Sequence, residues 1–433
     1  MRMSTTSHRS SLRGSTSSST RHLAQIVVTA AESSQNINKR ISSNIAQLRI
    51  SNMQLHGRDN DIKLLRSKLR ELAEKKHGEE DAAKNHVGEM ILVSGTSGAG
   101  KSALIHKGLG NPAAKSGYIF ASGKFEDKVL RPLSAFSDAM TRLAKYITVE
   151  HNKKGKLSSS GGQSVATLIR NKIQDEFEEE DVEQLRRVLP GCAKLLGLGS
   201  HRPSLVCPSS PADKVALYRS APLLGGTKRR LRVTLALAGK ESIARMHYAV
   251  RRLLKIVCSH FKGVVLFIDD LQWSDTATLD LLKSIVLDGE IPSLLIVGAY
   301  REDEVPDHHP LAFHIRELEQ MNVTITKIKI GNLSVDYAIP LVAEALGMDD
   351  DDSKVKSLAE TIHKKTEGNP FFMLMFLRSL HDEKLLQYNF GVMKWTWDED
   401  AVNSKIVTEN VASVLVNKMN RLQEETQRML MVA

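Results

Sequence analysis

Residues 95–102 have the types and the spacing that bind a phosphate group. They are Gly95, Thr96, Ser97, Gly98, Ala99, Gly100, Lys101 and Ser102, which match GxxxxGK[ST] between an apolar run and a helical pattern. Glycines let consecutive backbone N–H groups converge on an anion, and the following helix presents its positive end. Lys101 can then reach the β and γ oxygens of a nucleotide, and the Ser102 hydroxyl can take a position beside Mg²⁺. The alternative is a glycine turn without a ligand.

Two acids form the second group of candidates. Asp269 and Asp270 directly follow the apolar run 264–268, which is typical of a buried strand. An open parallel sheet binds its ligand at the carboxyl ends of its strands, so such a strand delivers its acids to the ligand. Asp269 is then placed to hold Mg²⁺ through water, and Asp270 to orient or deprotonate an attacking water. The alternative is a pair of helix-capping acids after a core strand.

Arg301 is the third candidate, because it follows the apolar run 294–299 and Tyr300 at the end of another predicted strand. From that position its guanidinium group can contact a γ-phosphate, whose oxygens it matches in geometry and charge. The alternative is a surface salt bridge to Glu302 or Asp303.

The elements that must position these residues alternate between strands and helices. An amphipathic helix is predicted after Asp59, because apolar residues recur at helical spacing at positions 62, 65, 69 and 72. Short apolar runs predict strands at 90–93, 118–121, 264–268, 294–297 and 323–330, and helical patterns between them include 136–143 and 243–257. Strands that alternate with helices predict an α/β fold, with a parallel sheet that helices cover on both faces.

Composition divides the chain into four predicted segments. They are a Ser- and Arg-rich disordered tail at 1–51, a nucleotide-binding domain at 52–331, a helical segment at 332–400 and a further segment at 401–433. Residues 153–163 and 199–240 are rich in linker-type residues or lack a clear period, so an irregular insertion is predicted at about 150–240. The helical segment is predicted to contain a Gly-Asn-Pro break at 368–370 and a two-stranded ribbon at 388–397.

Length and composition exclude several classes of protein. The chain has 433 residues, of which 41% are hydrophobic and 25% charged, as is typical of globular proteins with a buried core. Its apolar runs are too short for a membrane span, which needs about 18 residues. Cys192, Cys207 and Cys258 lack CxxC spacing, so neither a zinc site nor a disulfide framework is predicted. A reducing compartment, taken here as the cytoplasm, follows as the expected location.

The positive charge is concentrated near the N-terminus. Residues 1–56 carry seven Arg or Lys and one acid, which leaves +4 of the net +10 for the rest of the chain. This balance argues against a nucleic-acid partner for the globular part. Residues 1–22 contain twelve Ser or Thr and no acid, which is typical of a flexible, phosphorylated tail and also of an organelle transit peptide.

Further motifs follow in chain order: LHGR at 55–58, SGKF at 122–125, DDLQWSD at 269–275, VGAYREDEV at 297–305, HPL at 309–311 and EGNPFF at 367–372. With these motifs and the phosphate loop, the chain resembles the AAA-type ATPase module classed as origin-recognition-complex-like. It is similar to the STAND-related version that occurs inside large signalling proteins, beside kinase or cyclase domains. The resemblance covers about residues 52–433, without 200–240.

The resemblance implies a P-loop NTPase parallel sheet covered by helices, then an α-helical lid at 332–400 and a winged-helix domain that starts at 401 and is cut at 433. It implies ATP and Mg²⁺ as ligands. It places Gly57 and Arg58 on the adenine side, Asp269 and Asp270 at the metal and water, and Arg301 at the γ-phosphate. Pro370 would pack against the adenine from the lid, although a helix stop and restart explains Gly368 and Pro370 equally well.

Three functions are compatible with these residues. The leading hypothesis is a slow ATP-dependent conformational switch in signalling, with effector domains or protein partners and with self-association left open, because the lid shows Gly-Asn-Pro where many hydrolytic relatives carry an arginine. The alternative is a DNA-binding replication initiator, which the family resemblance and the basic tail suggest. A degenerate scaffold that binds ADP without hydrolysis is the third.

Overall fold

The computed structural model describes residues 47–51, 53–77, 88–127, 131–150, 164–197, 228–291 and 293–405. The predicted N-terminal tail, apart from residues 47–51, and nearly all of the predicted winged-helix segment lie outside these residues. The chain divides into two compact units. The sheet unit comprises Leu55–Ser334 and Glu367–Phe372. The helical unit comprises Val335–Thr366, the described residues from Met373 onward and those up to Gln54.

Five parallel strands form the centre of the sheet unit. They are β1 (Glu89–Gly95), β2 (Ile119–Lys124), β3 (Val264–Asp269), β4 (Leu294–Arg301) and β5 (Thr324–Lys329). Their order across the sheet is β2-β3-β4-β1-β5. Every predicted strand is present, and the predicted α/β fold with a parallel sheet is confirmed.

Helices connect the strands and cover the sheet. In chain order they are α1 (Asp59–His77), α2 (Lys101–Ile105), α3 (Asn111–Lys115), α4 (Ser134–Lys145), α5 (Val165–Glu176), α6 (Glu179–Val188), α7 (Lys228–His260), α8 (Thr276–Val286) and α9 (Pro310–Gln320). A π-helical turn, His106–Gly110, joins α2 to α3. None of the helices within the described ranges is long and apolar enough to cross a membrane.

Alternate residues of β1 face opposite sides of the sheet. Met90 and Leu92 pack in a hydrophobic cluster with α4 to α9, whereas Ile91 and Val93 pack in a second cluster with α1, α2 and α3. All four side chains are at most 3% exposed. A strand that is buried on both faces has an almost continuous run of apolar residues. Such runs are typical of parallel sheets, which is why the sequence indicates one.

The strand register brings the predicted site residues to one edge. Gly95 of β1 lies beside Arg301 of β4, and Lys124 of β2 lies beside Asp269 of β3. Because all five strands are parallel, these positions meet at the carboxyl edge of the sheet, where ligands of open α/β sheets bind.

The prediction of an irregular insertion at about 150–240 is wrong for the described part of that span. It contains α5 and α6, and α7 begins at Lys228 rather than near residue 243. Ile169, Ile173 and Leu185 are fully buried in the larger cluster. α5 and α6 are short and contain many polar residues, so the narrow apolar stripe of each is hard to distinguish from a loop until the surface that it packs against is known. Residues 151–163 and 198–227 lie outside the described ranges.

The helical unit is built from its own core. Its elements are α10 (Val335–Leu346), α11 (Ser353–Thr366), the part of α12 (Pro370–Asp382) that follows Phe372, β6 (Leu386–Asn389), β7 (Lys394–Trp397) and α13 (Glu399–Ser404). The predicted two-stranded ribbon is confirmed, because β6 and β7 pair in antiparallel fashion. Trp395 is buried, and its indole Nε1 donates a hydrogen bond of 2.7 Å to the carbonyl oxygen of Leu346. This tryptophan therefore packs in the core of the helical unit.

Candidate functional site

The phosphate loop joins the carboxyl end of β1 to the start of α2. Gly98 and Gly100 have φ angles of +81° and +97°, in a region that glycine enters without a side-chain penalty. Gly95 lies so close to β5 that an added Cβ atom would be 2.3 Å from the carbonyl oxygen of Ile330. The remaining loop residues are Thr96, Ser97 and Ala99, of which Ala99 is buried. The path of this backbone therefore depends on its glycines.

Lys101 folds back over the loop that precedes it. Its Nζ atom donates hydrogen bonds of 2.8 Å to the carbonyl oxygens of Gly95 and Thr96. The residue is only 7% exposed, and a buried ammonium group is stable only where acceptors or a counter-ion replace water. Lys101 is therefore held at the concave side of the loop, where a phosphate would lie.

The charges around Lys101 come from the tips of β3 and β4. Burial lowers the pKa of its ammonium group below the usual lysine value, and the positive charge of Arg301 lowers it further. Asp270, Asp303 and Asp269 act in the opposite direction. An anionic ligand would favour the charged lysine, because it would replace the hydration that burial removes.

Ser102 and Asp269 are in direct contact. The Ser102 hydroxyl donates a hydrogen bond of 2.7 Å to Oδ2 of Asp269, and the backbone N–H of Asp270 donates one of 3.0 Å to Oδ1 of Asp269. Both hydroxyl and carboxylate oxygens are hard ligands of the kind that Mg²⁺ prefers. With a P-loop serine next to a strand-tip carboxylate, the donor set fits a magnesium ion.

Asp270 is held at both carboxylate oxygens. Lys124, at the end of β2, lies 3.0 Å from Oδ2, and the side-chain amide of Gln272 donates a hydrogen bond of 3.1 Å to Oδ1. The backbone of Asp270 is left-handed, with φ +55° and ψ +47°, which is uncommon for a residue with a side chain. The side chain of Asp270 is therefore fixed at the strand tip by two neighbours and by its own backbone.

Arg301 contacts the same carboxylate and an acid of its own segment. Its Nε lies 3.9 Å from Oδ1 of Asp270, and its Nη1 donates a hydrogen bond of 2.6 Å to Oε1 of Glu304. The guanidinium lies 5.0 Å from the ring centre of Trp273, at cation–π distance. The alternative prediction of a salt bridge to Glu302 or Asp303 is wrong in its partner, because the short 3-10 helix Glu302–Glu304 turns Glu304 back toward the arginine.

Gly57 and Arg58 lie immediately before α1. Gly57 has a φ angle of +67°. The Arg58 guanidinium donates hydrogen bonds to the carbonyl oxygens of Ala99, at 3.4 Å, and of Gly331. Burial lowers the pKa of Arg58 from its ordinary value, against the opposing effect of Asp61. Arg58 thus ties the phosphate loop to the segment that follows β5.

Pro370 is the first residue of α12 and lies in the segment 367–372, which belongs to the sheet unit. The residue before it, Asn369, donates a hydrogen bond of 2.8 Å from Nδ2 to the carbonyl oxygen of Ser97 in the phosphate loop. The structure therefore brings this segment to the loop through Asn369, which the sequence reasoning did not single out.

Three residues of the site were missed by reasoning from the sequence: Lys124, Gln272 and Asn369. Each belongs to a motif that the sequence analysis identifies, in SGKF, DDLQWSD and EGNPFF respectively. Lys124 is a cation at the carboxyl end of a predicted strand, which is a usable signal. Gln272 and Asn369 carry no charge, and only their hydrogen bonds in the structure show that they contact Asp270 and Ser97.

The phosphate loop and the strand-tip acids match a known family. A family model described as AAA ATPase domain matches residues 54–297. A curated relative, Hybrid signal transduction histidine kinase G of Dictyostelium discoideum, is 22% identical over 411 residues, which cover 80% of this chain and 10% of the relative. The chain thus spans about a tenth of the length of that relative.

Two solved structures are also similar. The ORC2 protein of Aeropyrum pernix, solved as ADPNP–ADP complexes, has a TM-score of 0.42 and 11% identity over 86% of this chain and 72% of that chain. A Walker-type ATPase of Pyrococcus abyssi has a TM-score of 0.34 and 12% identity over 88% of this chain and 79% of that chain.

Proposed function

Because this chain belongs to the AAA ATPase domain family, we propose that its sheet unit binds ATP with Mg²⁺, hydrolyses it slowly, and acts as a conformational switch in signalling. The observation that carries the proposal is the 2.7 Å contact between the Ser102 hydroxyl and the Asp269 carboxylate. It joins the phosphate loop to the tip of β3, which are the two parts that a magnesium nucleotide needs.

The residues of the chain divide the work as follows. Backbone N–H groups of the loop and Lys101 bind the phosphates, and Ser102 and Asp269 hold the metal. Bound Mg²⁺ supplies positive charge that offsets the charge developing on the phosphate oxygens. Asp270 orients the attacking water or accepts its proton, and Arg301 contacts the γ-phosphate.

The adenine side is assigned to Gly57, Arg58 and Pro370. Arg58 is already tied to the phosphate loop at Ala99, and Pro370 directly follows the residue that is bonded to Ser97. The base would thus be bound by segments that flank the loop. This assignment rests on the family motifs at these positions.

Slow turnover is supported by the state of Asp270. Both of its carboxylate oxygens are already engaged, one by Lys124 and the other by Gln272. These two partners occupy acceptor sites of the carboxylate and limit the directions from which a water molecule can approach it. A long-lived ATP state suits a switch better than a motor.

A signalling role is supported by the relative named as a hybrid signal transduction histidine kinase, since 80% of this chain aligns with it. We therefore prefer the STAND-related switch to the replication initiator. In this proposal the residues at 332–400 form a lid, those from 401 onward start a winged-helix domain, and neighbouring effector domains or partner proteins receive the signal.

The test is nucleotide binding and turnover by the full 433-residue chain and by Lys101→Ala. Loss of a charge-assisted phosphate contact should weaken ATP binding by roughly 1.5–3 kcal/mol, which is about 10- to 150-fold. Lys63→Ala is the matched control, because Lys63 is exposed on α1. Equal ATP affinity in Lys101→Ala and the unmodified protein would refute the proposal.

A further inference from the structure

Asn369 is a buried amide whose two ends have different partners. It is 6% exposed. Its Oδ1 accepts hydrogen bonds from the backbone N–H groups of Phe371 and Phe372, at 3.1 and 3.4 Å. Its Nδ2 donates to the carbonyl oxygen of Ser97, at 2.8 Å. One side chain therefore caps the N-terminus of α12 and also binds the backbone of the phosphate loop.

The bond to Ser97 constrains the orientation of one peptide group. A trans peptide is planar, so the carbonyl oxygen of one residue and the N–H of the next point in opposite directions. Because the Ser97 carbonyl points at Asn369, the N–H of Gly98 points away from Asn369. In loops of this sequence pattern, such N–H groups are the donors that contact phosphate.

Packing around Gly98 reinforces this orientation. A Cβ atom at Gly98 would lie 2.7 Å from Oδ1 of Asn369 and 2.9 Å from Cβ of Phe371. The first turn of α12 is thus in close contact with the loop at the residue whose N–H is being oriented. By comparison, a Cβ atom at Gly100 would have no atom within 4 Å.

We propose that Asn369 is a positioning residue that orients the Ser97–Gly98 peptide for phosphate binding and couples phosphate binding to the start of α12. The inference rests on the proposed nucleotide function. Phosphate at the Gly98 N–H favours the peptide orientation that Asn369 stabilises, and Asn369 in that position caps α12. Since coupling between two events is reciprocal, a well-capped α12 also favours phosphate binding.

Two substitutions separate the contact with the loop from the helix cap. Asn369→Ser and Asn369→Asp keep a good N-cap residue but remove the Nδ2 amide that donates to Ser97. Asn369→Asp also places a carboxylate next to a carbonyl oxygen. Asn369→Ala removes the cap as well. The probes are inorganic tripolyphosphate, which has no adenine, together with ATP.

The expected order of affinity for tripolyphosphate is wild type, then Asn369→Ser about 3- to 10-fold weaker, then Asn369→Asp weaker still. The thermal midpoint of ligand-free Asn369→Ser should stay close to that of the wild type, whereas that of Asn369→Ala should fall. Hydrogen exchange at Phe371 and Phe372 should slow when tripolyphosphate binds to the wild type, but not when it binds to Asn369→Ser. Lys63→Ala, exposed on α1, is the control and should bind both probes as the wild type does.

Unchanged tripolyphosphate affinity in Asn369→Ser would overturn the inference and leave the proposed function intact. A midpoint that falls as far in Asn369→Ser as in Asn369→Ala would also overturn it. Serine keeps the cap, so an equal fall would mean that the cap does not stabilise the start of α12 and cannot couple it to phosphate binding. If the wild type binds neither ATP nor tripolyphosphate, the proposed function fails and the inference fails with it.

Discussion

The hydroxyl of Ser102 and the carboxylate of Asp269 are 2.7 Å apart although 167 positions separate them in the chain. The contact spans three neighbouring strands of the sheet. β1 leads into the loop that precedes Ser102, β3 ends at Asp269, and β4 lies between β1 and β3. The same strand carries Arg301, so a cation stands between the phosphate loop and the acids at the tip of β3. The order of the strands thus sets the order of the chemical groups along the edge.

Ser102→Ala should reduce the effect of Mg²⁺ on ATP affinity. The hydroxyl is one of the two oxygen groups that fit the metal, so its loss should weaken ATP binding about 10-fold in Mg²⁺ and change it less than 2-fold in EDTA. Titration calorimetry with and without the metal measures both values. Ser67→Ala, on α1, is the control. An equal loss in both buffers would show that Ser102 contributes only to the fold.

Asp270→Asn should abolish turnover and preserve binding. A general base contributes about 10²- to 10⁴-fold to rate, so phosphate release should fall at least 100-fold while ATP affinity stays within about 3-fold. Asp275→Asn is the control, because Asp275 caps α8 and asparagine caps equally well. Turnover by Asp270→Asn at the wild-type rate would remove Asp270 from the mechanism.

Arg301→Ala should weaken the binding of ATP more than the binding of ADP. If Arg301 contacts the γ-phosphate, ATP affinity should fall about 10-fold or more and ADP affinity less than 2-fold. Glu304→Gln should raise ATP affinity, because it removes the acid that holds the guanidinium at 2.6 Å. Glu302→Gln is the matched control, since Glu302 pairs with Lys329 instead. Parallel losses for both nucleotides would contradict the assignment.

Gly98→Ala should destabilise the ligand-free protein more than Gly100→Ala. Both glycines have positive φ, which costs an alanine about 1–2 kcal/mol. At Gly98 the new Cβ would also collide with Asn369 and Phe371, which should cost about 1–3 kcal/mol more. Calorimetric melting of the two variants measures the difference. Equal thermal midpoints for the two variants would mean that the first turn of α12 moves away from the new Cβ atom without a measurable loss of stability.

The pH dependence of stability should change in Lys101→Met. Burial lowers the pKa of Lys101 below the usual value of 10.5, so between its folded pKa and 10.5 the unfolded chain binds more protons than the folded one. Stability contributed by this group must then rise with pH across that window. The difference in thermal midpoint between wild type and Lys101→Met should therefore shift in favour of the wild type as pH rises through the alkaline range. A difference that is constant with pH would contradict the prediction.

The fold was predictable because its strands are buried on both faces and their apolar runs are short and continuous. The apolar run at 264–268 identifies a core strand, and the two acids that follow it directly identify a candidate site. The helical part of the span at about 150–240 was not predictable in the same way. Ile169, Ile173 and Leu185 become core residues only through contact with distant segments.

The site was predictable where charge or glycine spacing carries the signal, as in Lys101 and Asp269. It was not predictable where a neutral side chain acts through the backbone. The amide of Gln272 connects Asp270 to the backbone N–H of Arg301, at 3.1 Å on each side. Such bridges depend on the distance between two strand tips, which the sequence does not state.

The position of β1 between β4 and β5 has a consequence for the synthesis of the protein. This strand hydrogen-bonds to β4 and β5, which begin at Leu294 and Thr324, so a nascent chain that has left the ribosome only as far as β3 holds β1 without either of its partners. The five-stranded sheet, and with it the complete carboxyl edge that carries the candidate site, can form only after translation has passed Lys329. Until then, a strand that is apolar on both faces lacks its partners and is exposed to aggregation.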